Sequence, residues 1–182
     1  DLGVQCGGWT INWSGFTGYP LTKGTTILQG LKNIAGKHNL TIITDENNAD
    51  EADVVLLVIG EQPYAEFTGD TPNPSIVGDK ALSGNLDAID FAKSLNKPIV
   101  TLIVAGRNVL IADYIDDWDA VVMSYLPGSE GEGVASVLAG EVGFSGKLPM
   151  PYYKTVNDIK SDNPQLLFNI GDGLTTQTTS SN

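Results

Sequence analysis

An unbroken apolar run at residues 54–59 (VVLLVI) constrains the fold of this chain more than any other feature. A run of this kind is typical of a strand that is covered on both faces, as in a parallel sheet between layers of helices. Gly60 ends the run, and no helical pattern resumes until about Leu86. Strand-to-helix loops usually take about 2–6 residues, so this loop is much longer than the connection requires. Ligands of open parallel sheets bind beyond the carboxyl ends of the strands, and we therefore expect the loop to carry function.

The rest of the chain alternates strand-like and helix-like segments around this run. Short apolar runs between turn residues predict further strands at residues 41–44, 99–104 and 120–126. Apolar residues at helical spacing predict helices at 27–35, 88–96, 109–115 and 134–138, with capping boxes at Thr26–Gln29 and Ser129–Glu132. This alternation favours an α/β domain with a mostly parallel sheet.

The composition argues against several classes of partner. The 182 residues include ten basic side chains and carry a formal net charge of −12, so nucleic acid and an anionic membrane are poor partners. No apolar run approaches the roughly twenty residues of a membrane span. Cys6 is the only cysteine, and we expect no metal site and no cofactor. His38, the only histidine, is predicted to be a cation near a helix C-terminus.

The two ends of the chain are expected to lie around the core. Residues 1–23 form a Gly-rich leader with two tryptophans, and residues 141–174 form an extended segment that we expect to wrap the domain. Residues 175–182 are a polar, low-complexity tail of the kind found in interdomain linkers. The chain begins without Met or an apolar signal segment, and we expect it to be a fragment of a longer, processed protein.

Two groups of side chains are candidates for function. Glu61 and Glu66 share the long loop, where paired carboxylates can perform acid–base chemistry, although exposed loop carboxylates are also common on any surface. Arg107, the only arginine, follows a strand end at the same edge and could pair with a loop carboxylate or fix a neighbouring domain. Trp9 and Trp13 either pack on the domain or form a platform for a sugar ring, whose apolar face suits an aromatic face.

Four motifs, taken together, resemble the C-terminal domain of glycoside hydrolase family 3, in particular its β-glucan exohydrolase branch. In chain order they are 5–13 (QCGGWTINW), 60–70 (GEQPYAEFTGD), 126–133 (LPGSEGEG) and 143–149 (GFSGKLP). The loop motif is specific, and the other three become specific in combination. The chain departs from the family at Asn108, where the family often has Pro, and at Asp172, where it often has an aromatic residue.

The resemblance implies a flavodoxin-like, three-layer α/β/α sandwich with a six-stranded sheet, packed beside an N-terminal TIM-type barrel of the same polypeptide. In that family the barrel supplies the Asp nucleophile and the sandwich supplies the general acid/base from the long loop. By its place in the motif, this role falls on Glu66. Trp13 matches the ring that flanks the +1 sugar. Trp9 matches a neighbouring aromatic residue whose role we expect to be packing, with a weaker part in substrate binding.

The resemblance therefore implies the acid/base-donating domain of a retaining, exo-acting β-glucosidase or β-glucan exohydrolase. Its substrate would be a β-glucan oligosaccharide, and the protein would be secreted or periplasmic. Without the barrel we expect the isolated chain to be inactive. A second hypothesis stays open: a non-catalytic, flavodoxin-like module that binds a ligand or partner through the long loop. An upstream barrel of roughly 250 residues or more would favour the enzyme.

Overall fold

The computed structural model describes residues 1–10, 12–18 and 23–178. A parallel sheet in the order β1-β2-β3 forms the centre, and a short antiparallel ribbon of β4 and β5 lies apart from it. The strands are β1 (Val55–Gly60), β2 (Ile99–Val104), β3 (Ala120–Met123), β4 (Tyr152–Tyr153) and β5 (Leu166–Phe168). The helices are α1 (Leu2–Cys6), α2 (Ile27–Ala35), α3 (Asn85–Ser94), α4 (Gly131–Leu138) and α5 (Val156–Ile159).

The central strand β2 separates two hydrophobic cores. Leu102 and Ile103 are both fully buried, and they face opposite sides of the sheet because successive side chains of a strand alternate. The Leu102 side packs against α2 and α4, and the Ile103 side packs against α3 and the segment around Tyr152. Both faces of the sheet are therefore covered, which confirms the predicted α/β class with layers of helices around a mostly parallel sheet.

The sheet is smaller than the resemblance implies. Within the described ranges it has three parallel strands rather than six. Residues 41–44 form no strand, although Ile42 packs against the core beneath α2 and α4. Strand β3 ends at Met123 rather than at residue 126. Tyr125 takes a left-handed φ of 53°, which an extended strand cannot accommodate.

The predicted helix at 109–115 is wrong. This segment forms turns followed by a single 3₁₀ turn at Ile115–Asp117. The backbone of Leu110 bonds to a distant segment instead of its own neighbours: its N–H donates to Pro74 O at 2.9 Å, and its carbonyl accepts from Ile76 N at 3.1 Å. Pairing with the long loop has replaced local helical bonding.

Of the two predicted capping boxes, the first is half formed and the second is not formed. Thr26 Oγ1 accepts from Gln29 N at 3.1 Å, but the Gln29 side chain donates to Asn33 rather than back to the cap. Helix α4 begins at Gly131, earlier than predicted, and its start carries no side-chain cap. Gly131 N instead donates to Thr25 O at 3.0 Å, because the starts of α2 and α4 lie against each other.

The leader and the wrapping segment both contribute to the core. Leu2 and Val4 of α1 are buried, and the Gln5 amide donates to the carbonyls of Thr25 and Gly128. Tyr152 is 2% exposed, and its ring packs edge-on against Phe168. The proposed boundary at residue 174 stays a prediction, as does the linker-like character of the tail. Ile11, residues 19–22 of the leader and residues 179–182 of the tail lie outside the described residues.

His38 lies at the end of α2, as predicted. It forms part of a 3₁₀ turn at Gly36–His38, and its Nε2 lies 2.8 Å from Glu141 Oε1. Lys37 Nζ contacts the same carboxylate at 2.6 Å. These contacts tie the end of α2 to the segment after α4. Across the part of the chain that the structure describes, no helix has the length and hydropathy to cross a membrane.

Candidate functional site

The long loop is a folded part of the domain, held at several points along its length. Gln62 N donates to Lys80 O at 2.8 Å, so the outgoing and returning arms of the loop are paired. The Asn85 amide, which is buried at the start of α3, donates to the carbonyls of Gly60 and Ile76. The loop therefore leaves β1 at the carboxyl edge with a fixed course.

Glu61 lies at the root of this loop and is buried, which corrects the expectation of two exposed carboxylates. Its side chain is 1% exposed, and both oxygens accept from Arg107 Nε at 3.0 Å. This contact confirms that Arg107 pairs with a loop carboxylate. The Tyr64 hydroxyl donates to Glu61 Oε2 at 2.9 Å, and the Arg107 guanidinium lies over the Tyr64 ring, 4.5 Å from its centroid.

The surroundings of Tyr64 favour its protonated form. Burial, and then the negative charge of Glu61, raise the pKa of Tyr64 above its usual range. The hydroxyl therefore stays protonated and can donate to the carboxylate. The three side chains form one closed cluster in which a buried anion has both a cation and a neutral donor.

Three glycines, two of them in the sequence motifs, make room for Tyr64. A β-carbon on Gly8 would lie 1.8 Å from Tyr64 O, and one on Gly69 would lie 2.4 Å from Tyr64 Cδ2. At Gly106 it would lie 3.0 Å from the Tyr64 hydroxyl oxygen. These glycines allow the leader, the loop and the segment after β2 to meet around Tyr64.

Glu66 lies beyond this cluster on a tight, exposed turn. The turn is a 3₁₀ helix at Glu66–Gly69, and the Glu66 backbone has a left-handed φ of 48°. This conformation is uncommon for a residue with a side chain and persists where the surroundings hold it. Thr68 Oγ1 accepts from Ala65 N at 2.9 Å and donates back to Ala65 O, and Ala65 itself is fully buried. The Glu66 side chain is exposed to solvent.

The structure brings Trp13 to this turn and leaves Trp9 in solvent. The Trp13 ring lies against Phe67, with centroids 5.6 Å apart and planes inclined by 52°. The hydroxyls of Ser14 and Thr68 are 2.8 Å apart, which joins the Trp13 segment to the turn of Glu66. Trp9 is 68% exposed, so this domain does not bury its ring.

Sequence reasoning missed Phe67 as part of this site. The ring is 69% exposed and directly follows Glu66 in the chain. Its position in the specific loop motif was the available signal, because an aromatic residue on an exposed loop has no core to fill. Trp13, Phe67 and Glu66 together form the candidate site.

The two loop carboxylates do not form a catalytic pair. A retaining glycosidase places its two carboxyl groups about 5–5.5 Å apart with the sugar between them. Both oxygens of Glu61 are occupied by Arg107 in the interior, whereas Glu66 is exposed. Among the described residues, no group of three or more His, Cys, Asp or Glu side chains is arranged to hold a metal ion. The site can thus present one carboxyl group beside two aromatic rings.

The chain is similar to a known protein family and to several of its members. Residues 1–176 match the model for the glycosyl hydrolase family 3 C-terminal domain. The lysosomal beta glucosidase of Dictyostelium discoideum is 34% identical over 92% of this chain and 24% of its own length. The periplasmic beta-glucosidase of Salmonella typhimurium is 32% identical over 61% of this chain and 14% of its own length.

A similar solved structure is the exo-1,3/1,4-beta-glucanase from a Pseudoalteromonas species. It is 31% identical, superposes with a TM-score of 0.75, and aligns with 96% of this chain and 23% of its own. The chain therefore spans about a quarter or less of the length of these relatives.

Proposed function

The chain belongs to the glycosyl hydrolase family 3 C-terminal domain family, and from that premise we propose that it donates the acid/base of a retaining, exo-acting β-glucosidase or β-glucan exohydrolase. The observation that carries the proposal is the turn of Glu66. The backbone of Glu66 is held in a left-handed conformation. A hydrogen bond joins its turn to the segment that bears Trp13.

Glu66 is assigned the two proton transfers of the reaction. In the first step its carboxyl group gives a proton to the glycosidic oxygen while the bond from that oxygen to the anomeric carbon breaks. A second carboxylate attacks the anomeric carbon and forms the glycosyl-enzyme. In the second step Glu66, now ionised, takes a proton from water while the water oxygen displaces that carboxylate. The reaction needs two carboxyl groups and water, and no cofactor.

The second carboxylate is assigned to a partner domain, an N-terminal TIM-type barrel of the same polypeptide. The isolated 182-residue chain is accordingly expected to be inactive. Trp13 is assigned to the +1 sugar, where its exposed face suits the apolar face of a pyranose. Trp9 has a weaker part in binding. The names of the lysosomal and periplasmic relatives support a secreted or periplasmic location for this protein.

Glu66→Gln in the complete enzyme tests this assignment. Loss of the acid should slow hydrolysis of a β-glucan by about 10²–10⁴-fold. The glycosylation step of a dinitrophenyl β-glucoside should slow far less, because dinitrophenolate leaves without a proton. Loss of the base should also trap the glycosyl-enzyme. Added azide needs no base, so it should restore turnover and yield a β-glucosyl azide.

Asp70→Asn is the matched control, because Asp70 is an exposed carboxylate at the end of the same turn. Its turnover should not depend on azide. Glu61→Gln should lower stability without creating azide dependence. If azide rescues either control while Glu66→Gln keeps full activity on the glucan, the acid/base has been assigned to the wrong residue. If the complete protein hydrolyses no β-glucoside, the non-catalytic module gains support.

A further inference from the structure

We propose that Phe67 is a second ring of the leaving-group site, so that Trp13 and Phe67 together hold the sugar that departs. The inference rests on the proposed role of Glu66, since the leaving group is the part of the substrate that Glu66 protonates. It adds a specificity-determining residue that lies directly after the proton donor in the chain.

The two rings are exposed together. Phe67 is 69% exposed and Trp13 is 47% exposed, and their centroids are 5.6 Å apart. Their contact covers only part of each ring, so apolar surface of both rings stays exposed on this domain. Exposed apolar surface of this kind marks binding sites, because covering it releases hydration free energy. Phe67 fills no core position, so the domain's own packing does not explain a large aromatic residue there.

The position of Glu66 identifies the occupant. A general acid must come within about 2.6–3.2 Å of the oxygen that it protonates. That oxygen belongs to the departing sugar, which therefore lies beside the Glu66 turn. Phe67 is the next residue on this turn, and Trp13 lies against it. Planes inclined by 52° present two differently oriented faces, and a pyranose can meet one with its C–H face and the other with its edge.

The backbone that carries the two rings is also held in place by hydrogen bonds. Thr68, beside Phe67, bonds to Ala65 on one side and to Ser14 on the other. Ser14 follows Trp13 in the chain and has a left-handed φ of 64°. Because this backbone is already ordered, less conformational entropy is lost when a sugar binds against the rings than would be lost on a mobile loop.

The test is Phe67→Ala in the complete enzyme, assayed on two substrates with the same glucosyl group. One is a β-linked glucose disaccharide, whose leaving group is a sugar. The other is β-glucosyl fluoride, whose leaving group is too small to reach either ring. For the disaccharide kcat/KM should fall by about five- to a hundredfold, the factor that corresponds to the loss of one stacked ring. The loss should be in KM, because the ring contacts ground state and transition state alike.

For β-glucosyl fluoride the same variant should keep its kcat/KM. Phe67→Tyr, which retains the ring, should restore use of the disaccharide. Phe91→Ala is the control, since Phe91 is another partly exposed ring near the far end of α3. Phe91→Ala should leave kcat/KM unchanged for both substrates.

Two results would overturn the inference. Equal losses on both substrates would mean that Phe67 shapes the Glu66 turn or packs against another domain. Full activity on both substrates would mean that the ring has no role in recognition. The proposed function fails on a different measurement, namely unchanged hydrolysis of the disaccharide by Glu66→Gln, so the two failures are distinguishable.

Discussion

Replacing Arg107 with Met should destabilise the domain strongly, because it leaves a carboxylate in the interior without its cation. The Glu61 side chain is 1% exposed, and Arg107 Nε lies 3.0 Å from both of its oxygens. Removing one member of a buried ion pair typically costs about 3–5 kcal/mol, most of which is the desolvation of the charge left behind.

Three observations refine this estimate of the free-energy loss. The Tyr64 hydroxyl continues to donate to Glu61 at 2.9 Å, which favours the lower end of the range. Within the described residues Arg107 Nη2 is buried without a hydrogen-bond partner, so the native pair is itself incompletely satisfied. Loss of the cation over the Tyr64 ring adds about 0.5–2 kcal/mol. We therefore expect a loss of about 3–5 kcal/mol, and 3 kcal/mol corresponds to roughly 6–12 °C in Tm for a domain of this size.

Thermal and urea unfolding of the 182-residue chain would measure this loss. Lys93→Met is the matched control: it breaks a shorter ion pair, 2.7 Å to Asp117, whose side chains are 61% and 40% exposed. An exposed pair is worth at most about 1 kcal/mol. The double variant Glu61→Gln, Arg107→Met should recover much of the loss, because no buried charge remains. If Arg107→Met costs no more than Lys93→Met, the buried pair does not contribute the stability expected of it.

Two further predictions concern the Glu66 turn and the stability of the domain at acidic pH. Thr68→Val in the complete enzyme removes the hydroxyl that bonds to Ala65. If Glu66 is the acid, as proposed, its misplacement should lower kcat on a disaccharide by about ten- to a hundredfold, whereas Thr68→Ser should retain activity. Hydrogen bonds from Lys37 and then His38 lower the pKa of Glu141 from 4.5 to about 2. The pKa of Glu141 is therefore lower in the folded state than in the unfolded state, so the ionised carboxylate stabilises the fold. This stabilisation is complete above pH 4.5 and is lost as the pH falls towards 2. Urea unfolding of Glu141→Gln should show a weaker pH dependence across that window.

The buried strands could be predicted from sequence because their signal is independent of their partners. The apolar runs at 54–59 and 99–104 correspond closely to β1 and β2, since a strand covered on both faces needs apolar residues throughout. Helix α2 was equally clear, because its apolar face repeats at helical spacing and Thr26 begins it. These signals reside within the elements themselves.

The errors arise where distant backbone decides local structure. Residues 109–115 have enough apolar residues for a helix, but Leu110 exchanges backbone hydrogen bonds with the long loop around residue 75. The start of α4 is set by the Thr25 carbonyl, about a hundred residues earlier, rather than by the Ser129 cap. No local sequence pattern predicts a backbone hydrogen bond to a residue so far along the chain.

The two loop glutamates show the same limit at the site. They stand five residues apart in one loop, and sequence alone treats both as surface carboxylates. What separates them is Arg107, forty-six positions beyond Glu61, which neutralises that charge in the interior and fixes the root of the loop. The resemblance assigned the acid to Glu66, but it did not predict that Glu61 supports the loop from below.

The exposed carboxyl group of Glu66 bears on where the proposed activity resides. The domain fixes the backbone of Glu66 through Thr68 and places two rings beside it, yet it leaves the carboxyl group in water. Proton donation to a sugar oxygen is effective when water is excluded and the acid faces the bond to be broken. Under the proposed function, this domain supplies the geometry of the acid, and the covering surface and the nucleophile come from the barrel. Because each part lacks what the other holds, hydrolysis should belong to the assembled protein alone.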